Sequence, residues 1–228
     1  MLKKVIIAID GPAGSGKSTA AKNIAQNLGF TYLDTGAMYR AITFLALRNG
    51  IVENIPAVID LVNKISLKLK FENNLTRVFI DDEEVTNHIR TPEVNSKVSE
   101  ISTIPEVRSE LVKIQKKLGE DGNIVAEGRD VTTVVFPAAD VKIYMTASVE
   151  ERAKRRFKEF QEKKADITIE EVKENIEKRD KIDSSRSVSP LKKADDAIEF
   201  DNTGLSINDE LVMLLNMIND VKLKNNNN

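Results

Sequence analysis

Gly11-Pro12-Ala13-Gly14-Ser15-Gly16-Lys17-Ser18-Thr19 follows one spacing: glycine, four residues, glycine, lysine, then serine or threonine. These residue types suit polyphosphate. Glycines let the backbone fold back so that successive N–H groups face phosphate oxygens, which side chains would obstruct. A helix starting near Lys17 would aim its unpaired N–H groups and the positive end of its dipole at the same oxygens. Lys17 would place a point charge at the β- and γ-phosphates, and Ser18 would offer a hydroxyl to Mg²⁺. The stretch from Gly11 to Thr19 is therefore the candidate nucleoside triphosphate site, with Ser18 as the candidate metal ligand.

A glycine-rich turn does this only when a strand leads into it and a helix leads out. Ahead of it runs Val5-Ile6-Ile7-Ala8-Ile9, a short apolar run suited to a buried parallel strand. Behind it Ala21, Ile24, Ala25 and Leu28 share one helical face, with Gly29 as the stop. Composition bounds the rest. Hydrophobic residues at 41% and charged residues at 31% supply a core and a solvated surface, as expected of a soluble globular chain of one domain or a core with a modest second lobe. The formal charge of −2 gives no global basic field for nucleic acid. The absence of cysteine removes disulfides and thiolate metal sites. The N-terminal apolar run is interrupted by Asp10, and no stretch approaches the ~20 apolar residues of a membrane span. The expectation is a cytoplasmic protein whose partners are small molecules, with a disordered tail at 225–228.

Further strands are expected at 31–34, 123–127, 141–145 and 197–200, separated by helical patterns. Five parallel-type strands alternating with helices imply a doubly wound α/β core. Between 51 and 105 the character changes. A helical piece (Val58, Leu61, Val62, Ile65) leads into Leu67-Lys68-Leu69-Lys70-Phe71, which alternates with period two. Short strands follow at 76–81 and 84–85, with Asn73-Asn74 and Asp82-Glu83 as turn signals. This reads as a small antiparallel α+β lobe inserted between core segments 1–50 and 106–224. Thr91-Pro92 and Pro105 open two helices, Ser148 with Glu151 forms a capping box, and Thr168 with Glu171 opens the next helix.

In open α/β sheets ligands bind beyond the carboxyl ends of the strands. Those ends carry Asp10-Gly11, Asp34-Thr35-Gly36, Glu127-Gly128-Arg129-Asp130, Thr146 and Asp201-Asn202. Arg179, Asp183 and Arg186 lie at i, i+4 and i+7 and continue the apolar stripe of Val172 and Ile176, so a persisting helix would turn all three inward. Arg152, Arg155 and Arg156 share another helical face, where they form either a solvated surface or a cationic lid. His88, the one histidine, is assigned no role.

At this point the chain resembles the bacterial cytidylate kinases, a family of P-loop nucleoside monophosphate kinases. The resemblance rests on the phosphate loop and on several further stretches in order. These are Leu33-Asp34-Thr35-Gly36-Ala37-Met38-Tyr39-Arg40, Ile89-Arg90-Thr91-Pro92-Glu93-Val94, Glu127-Gly128-Arg129-Asp130, Thr133-Val134-Val135-Phe136-Pro137 and Arg179-Asp180-Lys181-Ile182-Asp183-Ser184-Ser185-Arg186. It spans about residues 4 to 220. One departure is Glu127, where many relatives carry aspartate before Gly-Arg-Asp.

The resemblance implies a P-loop NTPase-type fold with a nucleoside-monophosphate lobe at 51–105 and a lid at about 150–167. It implies phosphoryl transfer from ATP to CMP or dCMP with Mg²⁺. Lys17, Arg129 and Arg155 are then the catalytic candidates, and Arg40, Arg129 and Arg186 clamp the acceptor phosphate. Arg179 and Asp183 would hold the ribose. Asp130 and Thr35 would accept from the cytosine N4 amino group, while Arg108 and Ser99 would donate to N3 and O2. A monomer without nucleic-acid or membrane partners is expected. Two rival readings stand beside this one: a kinase for another acceptor such as AMP, TMP or a sugar acid, and a P-loop switch. The nearest match to a switch's guanine-reading Asn-Lys-x-Asp, Asn63-Lys64-Ile65-Ser66, lacks the aspartate.

Overall fold

The computed structural model describes residues 4–72, 75–120, 122–162 and 167–226. The expected turn at Asn73-Asn74 and the lid residues 163–166 lie outside them. Five strands, β1 (Ile6–Asp10), β2 (Thr31–Asp34), β6 (Ile124–Gly128), β7 (Val141–Thr146) and β8 (Ile198–Asp201), form one sheet in the order β2-β6-β1-β7-β8. All pairings in it are parallel. Both faces are covered, so side chains alternate between two buried layers rather than between core and water. Ile7 and Ile9 of β1 pack with α1 (Lys17–Leu28) and α8 (Ile207–Asn226), while Ala8 points to the opposite layer with Leu33, Val131 and Phe136.

Register brings the functional ends level. Asp10 pairs with Gly128 across one edge of β1 and with Tyr144 across the other; Asp34 pairs with Glu127, and Thr146 with Asp201. The expected stops are where local chemistry puts them. Gly29 closes α1 in the left-handed region at φ 66°, and the Phe30 N–H returns to the Ala25 carbonyl at 2.8 Å. Helix α2 (Thr35–Arg48) is capped by the Asp34 carboxylate on the Ala37 N–H, so it begins directly at the end of β2.

The segment 51–105 holds α3 (Ile55–Lys64), the antiparallel sheet β3 (Leu67–Glu72), β4 (Leu75–Ile80) and β5 (Glu83–Glu84), and α4 (Pro92–Ile101). Thr91 caps α4 with Pro92 in its first turn, as expected. The apolar interior of this segment is continuous with α2 and α5 (Pro105–Gly119): Val58, Val78, Ile80 and Ile101 share one cluster with Ile42, Leu45, Val107 and Leu111.

Two local expectations are corrected. Ser148 caps α6 (Val149–Glu162) through the Glu151 N–H at 3.2 Å, but the reciprocal half is missing. The Ser148 N–H goes to Thr203 Oγ1 and the Glu151 carboxylate to Arg155, so tertiary partners outcompete the local box. At α7 (Ile169–Ser185) both halves of the box, Thr168 and Glu171, are present. Helix α8 continues through Asn226, two residues into the stretch expected to be disordered, because extending an anchored helix needs no new nucleus. Residues 227–228 lie outside the description.

Candidate active site

The loop after β1 wraps a backbone bowl. Gly11 approaches the end of β7 so closely that a Cβ there would sit 2.0 Å from the Met145 carbonyl oxygen. Helix α1 begins at Lys17 with no side chain capping it, so its first N–H groups remain for a ligand. Lys17 Nζ folds back onto the Pro12 carbonyl at 2.7 Å and Ser15 Oγ at 3.3 Å. Burial, reinforced by the nearby Arg129 guanidinium, pulls its pKa down to about 7. A lysine so placed is short of negative charge, which a polyphosphate would supply.

Beside it Ser18 Oγ donates to Glu127 Oε1 at 2.7 Å, and the Tyr32 hydroxyl donates to the same oxygen at 3.1 Å. Glutamate at 127 therefore reaches the Ser18 hydroxyl directly. Thr35 Oγ1 donates to the Glu127 carbonyl at 2.8 Å, which leaves its lone pairs for an incoming donor. Asp34 has two tasks: Oδ1 caps α2, and Oδ2 accepts from Arg40 at 2.7 Å and Arg90 at 2.8 Å. Burial alone would raise the Asp34 pKa, but the two guanidinium groups hold it below the usual carboxylate value.

At the end of β6 the chain turns through one π-helical turn, Val131–Val135. Asp10 fixes that turn, accepting from the Val131 N–H, the Thr132 N–H and the Thr132 hydroxyl at 2.6 to 2.9 Å. Arg129 and Asp130, immediately before it, are thereby aimed into the crevice. Asp130 Oδ2 meets Arg108 Nη2 at 2.5 Å, and both side chains are almost fully buried. Arg108 also donates to the Ser102 carbonyl and lies 5.1 Å from the centre of the Tyr39 ring.

Arg129 Nε donates to Asp183 on α7 at 2.8 Å. Burial would raise the Asp183 pKa, but Arg129, Arg186 and Arg179 around it keep it low. Burial and the neighbouring Arg129 push Arg179 down to about 10. The helix does not persist to Arg186. It ends at Ser185, and Arg186 is extended, with Nε donating to the Ser189 carbonyl at 2.7 Å. Arg186 still reaches the same cavity, now through the turn before Pro190 rather than through helical periodicity.

The arginines of α6 part company. Arg155 and Arg156 both line the crevice: Arg155 donates to Asn202 Oδ1 and the Asn202 carbonyl, and Arg156 donates to Glu159 beside it. Arg152 is buried beneath the phosphate loop, bonded to Asp180 and to the carbonyls of Ala13 and Ala147, and takes no place in a lid.

Most of these groups surround one cavity of about 570 Å³, lined by the glycine loop from Ala13 to Thr19 and by Thr35, Arg40, Ser99, Arg108, Asp130 and Arg179, among others. Buried polar atoms without a partner among the described residues include Tyr39 Oη, Arg40 Nε, Arg108 Nε, Arg179 Nε and Arg186 Nη2, and every one of these side chains lines that cavity. Unpaired buried donors are costly, and here they converge on a space fit for a polar, anionic molecule. Sequence reasoning did not assign a role to Arg90, Tyr39 or Tyr32, although Arg90 and Tyr39 lie in the Ile89–Val94 and Leu33–Arg40 runs that carried the resemblance, and it named Asn202 only as part of a polar strand end. His88 stacks on Phe44 outside the cavity.

The sequence profile of the cytidylate kinases matches residues 7–220. The cytidylate kinase of Streptococcus suis (strain 05ZYH33) is 53% identical over 208 residues, 90% of this chain and 92% of its own. The chain belongs to the cytidylate kinase family. It is a nucleoside monophosphate kinase, phosphorylating CMP and dCMP with ATP. The cytidylate kinase of Enterococcus faecalis (strain ATCC 700802 / V583) is 50% identical over 94% of this chain and 96% of its own, and that of Bacillus cereus (strain ATCC 10987 / NRS 248) is 46% identical over 98% and 100%. A crystal structure of an uncharacterized protein from Eubacterium ventriosum ATCC 27560 shares the fold, with a TM-score of 0.55 at 15% identity, covering 96% of this chain and 99% of its own. Neither the switch nor a kinase for an unrelated acceptor fits a cytidylate kinase match of this extent.

Proposed function

We propose that ATP lies with its phosphates in the bowl from Gly11 to Thr19 and that CMP lies opposite, its phosphate toward Arg40, Arg129 and Arg186 and its base over Asp130. The observation that carries this reading is the convergence of unpartnered guanidinium nitrogens on one cavity shared with the loop. Phosphoryl transfer needs positioning and charge neutralisation more than covalent help. Lys17 and Arg129 stabilise charge on the moving group from two sides, and Arg155 completes the cage from α6.

In the acceptor site, Arg179 and Asp183 orient the ribose. Asp130 gives Oδ2 to Arg108 and offers Oδ1 to the cytosine amino group, with Thr35 as second acceptor. Arg108 and Ser99 face the ring's N3 and O2. Uracil would set its O4 acceptor against the carboxylate.

Among the described residues no three His, Cys, Asp or Glu side chains group as a metal site, so Mg²⁺ would be held largely by the nucleotide's own phosphates. The Ser18 hydroxyl and the Glu127 carboxylate, 2.7 Å apart beside the loop, are the donor set that fits it. When bound it would neutralise charge on the β- and γ-oxygens. Because one chain supplies every group of the site, we place the enzyme as a monomer, acting in the cytoplasm where ATP and CMP are available.

The segment 51–105 closes over the monophosphate in this reading, bringing Arg90 and Ser99 with it. A crystal structure with CMP bound is the test of the whole assignment. The pyrimidine is expected against Asp130 and Arg108 with its phosphate among the arginines; a base seated elsewhere would overturn it.

A further inference from the structure

The peptide units around Ala13, inside the phosphate loop, are held by side chains from two distant helices. Asp180 Oδ1 on α7 accepts from the Ala13 N–H at 3.0 Å. Arg152 Nη1 on α6 donates to the Ala13 carbonyl at 2.9 Å and to Asp180 Oδ2 at 2.6 Å, and its Nε donates to the Ala147 carbonyl at 3.0 Å. Gly14, next in the loop, has φ +75°, and a Cβ there would lie 3.3 Å from Arg152 Cβ. Loop, α6 and α7 are thus in direct contact with no room between them.

The position of Asp180 on α7 gives this clamp a consequence. It lies between Arg179 and Asp183, the two residues of that helix read above as acceptor ligands, and Asp183 is already held by Arg129 from the β6 loop. A helix turn is stiff, so a force on Arg179 or Asp183 moves Asp180 with them. When a monophosphate draws Arg129 and Arg179 toward its own charge, the bonds at Asp183 are redistributed, and the Ala13 amide is one hydrogen bond from the same helix.

We propose that Asp180, with Arg152 as its strut, is a positioning residue that couples the acceptor helix to the donor loop, so that filling the CMP site orders the ATP site. The proposal rests on the reading of α7 as acceptor-binding. Coupling between sites is reciprocal and typically amounts to about 5- to 150-fold in affinity. An ordinary structural brace would hold the loop equally whether or not CMP were present.

The test begins with hydrogen exchange of the wild-type enzyme with and without saturating CMP, in the absence of ATP. CMP is expected to slow exchange in α7 and, with it, at the amides of residues 13–16 by at least about fivefold. Protection of α7 without any change in the loop overturns the coupling while leaving the acceptor site intact. Protection of neither overturns the acceptor reading and the coupling with it. Calorimetry then measures the affinity of a non-hydrolysable ATP analogue with and without CMP in wild type, Asp180→Asn and the double variant Asp180→Ala/Arg152→Met, which leaves no unpaired buried charge should the single change unfold the protein. The wild-type ratio is expected at about fivefold or more, and the variant ratios within about twofold of one. A folded variant that keeps the wild-type ratio would refute the assignment.

Discussion

Asp130 is the sharpest place to perturb this enzyme, because its two oxygens are read here as serving two different partners. Replacement by alanine removes the base's acceptor and strands Arg108, whose side chain is 2% exposed. Breaking a buried pair by removing one partner costs about 3–5 kcal/mol, against a total stability of about 5–15 kcal/mol for a typical domain. Alanine therefore mixes a folding effect with the specificity effect. Asparagine separates them: its carbonyl oxygen can still take Arg108, while its amide presents a donor where the carboxylate presented an acceptor.

That donor opposes the cytosine amino group and matches uracil O4. Hydrogen bonds to charged groups are worth about 1.5–3 kcal/mol net, so losing one should lower kcat/KM for CMP by about 10- to 150-fold. The ratio of kcat/KM for CMP to that for UMP should fall by at least as much, since UMP gains where CMP loses. The assay is paired steady-state kinetics on both acceptors at fixed ATP, with urea denaturation of each variant to confirm folding. ATP affinity should be unchanged. A folded Asp130→Asn enzyme that keeps the wild-type CMP-to-UMP ratio would show that the base is read elsewhere.

Other outcomes follow from the same geometry. In the free enzyme Lys17 has a pKa near 7 against 10.5 in the unfolded chain, so between those values it is largely neutral when folded and charged when unfolded. Its contribution to stability without nucleotide therefore rises as pH rises through that window. Binding a polyphosphate should restore the charge, so calorimetric titration with ATP analogue near pH ~8.5, in buffers of different ionisation enthalpy, should show uptake of close to one proton; a buffer-independent enthalpy would count against it. Lys17→Met should lower kcat by about 10²–10³, read in an ADP-release assay. CMP should shrink the small-angle scattering envelope and slow proteolysis within 51–105, and an unaltered profile with CMP bound would mean that the lobe does not close.

The parts of this protein that could be read from sequence are those whose cause is local. The phosphate loop, the stop at Gly29 and the Thr91-Pro92 start each depend on a few adjacent residues, and each stands as expected. The sheet followed because its strands are short apolar runs flanked by helices with clear stripes. What escaped is whatever depends on a partner far along the chain. Nothing local marks Asp10 as the anchor of a turn that begins at Val131. The run around Arg152 reads as a solvated surface or a cationic lid and not as buried, since a charged residue is buried only when something distant pairs with it, here Asp180 and the carbonyl of Ala13.

The same dependence explains why the site's arginines could be nominated but not placed. Arg108, Arg129 and Arg40 are each held in a buried or half-buried position by a carboxylate, Asp130, Asp183 and Asp34, contributed by another element or by the start of their own helix. Leaving several guanidinium groups unpaired around one cavity would be prohibitive, so the fold supplies an acidic partner for most of them before any substrate arrives. At two of them the carboxylate satisfies only part of the arginine: Nε of Arg40 and Nε of Arg108 have no partner among the described residues. At Arg40 and Arg108 a phosphate or a base then adds to a preformed pair instead of displacing it, whereas at Asp183 the acceptor redistributes the bonds. At those two arginines the geometry is set in advance by hydrogen bonds that persist through binding, which is how a cavity this rich in cationic groups stays folded when empty.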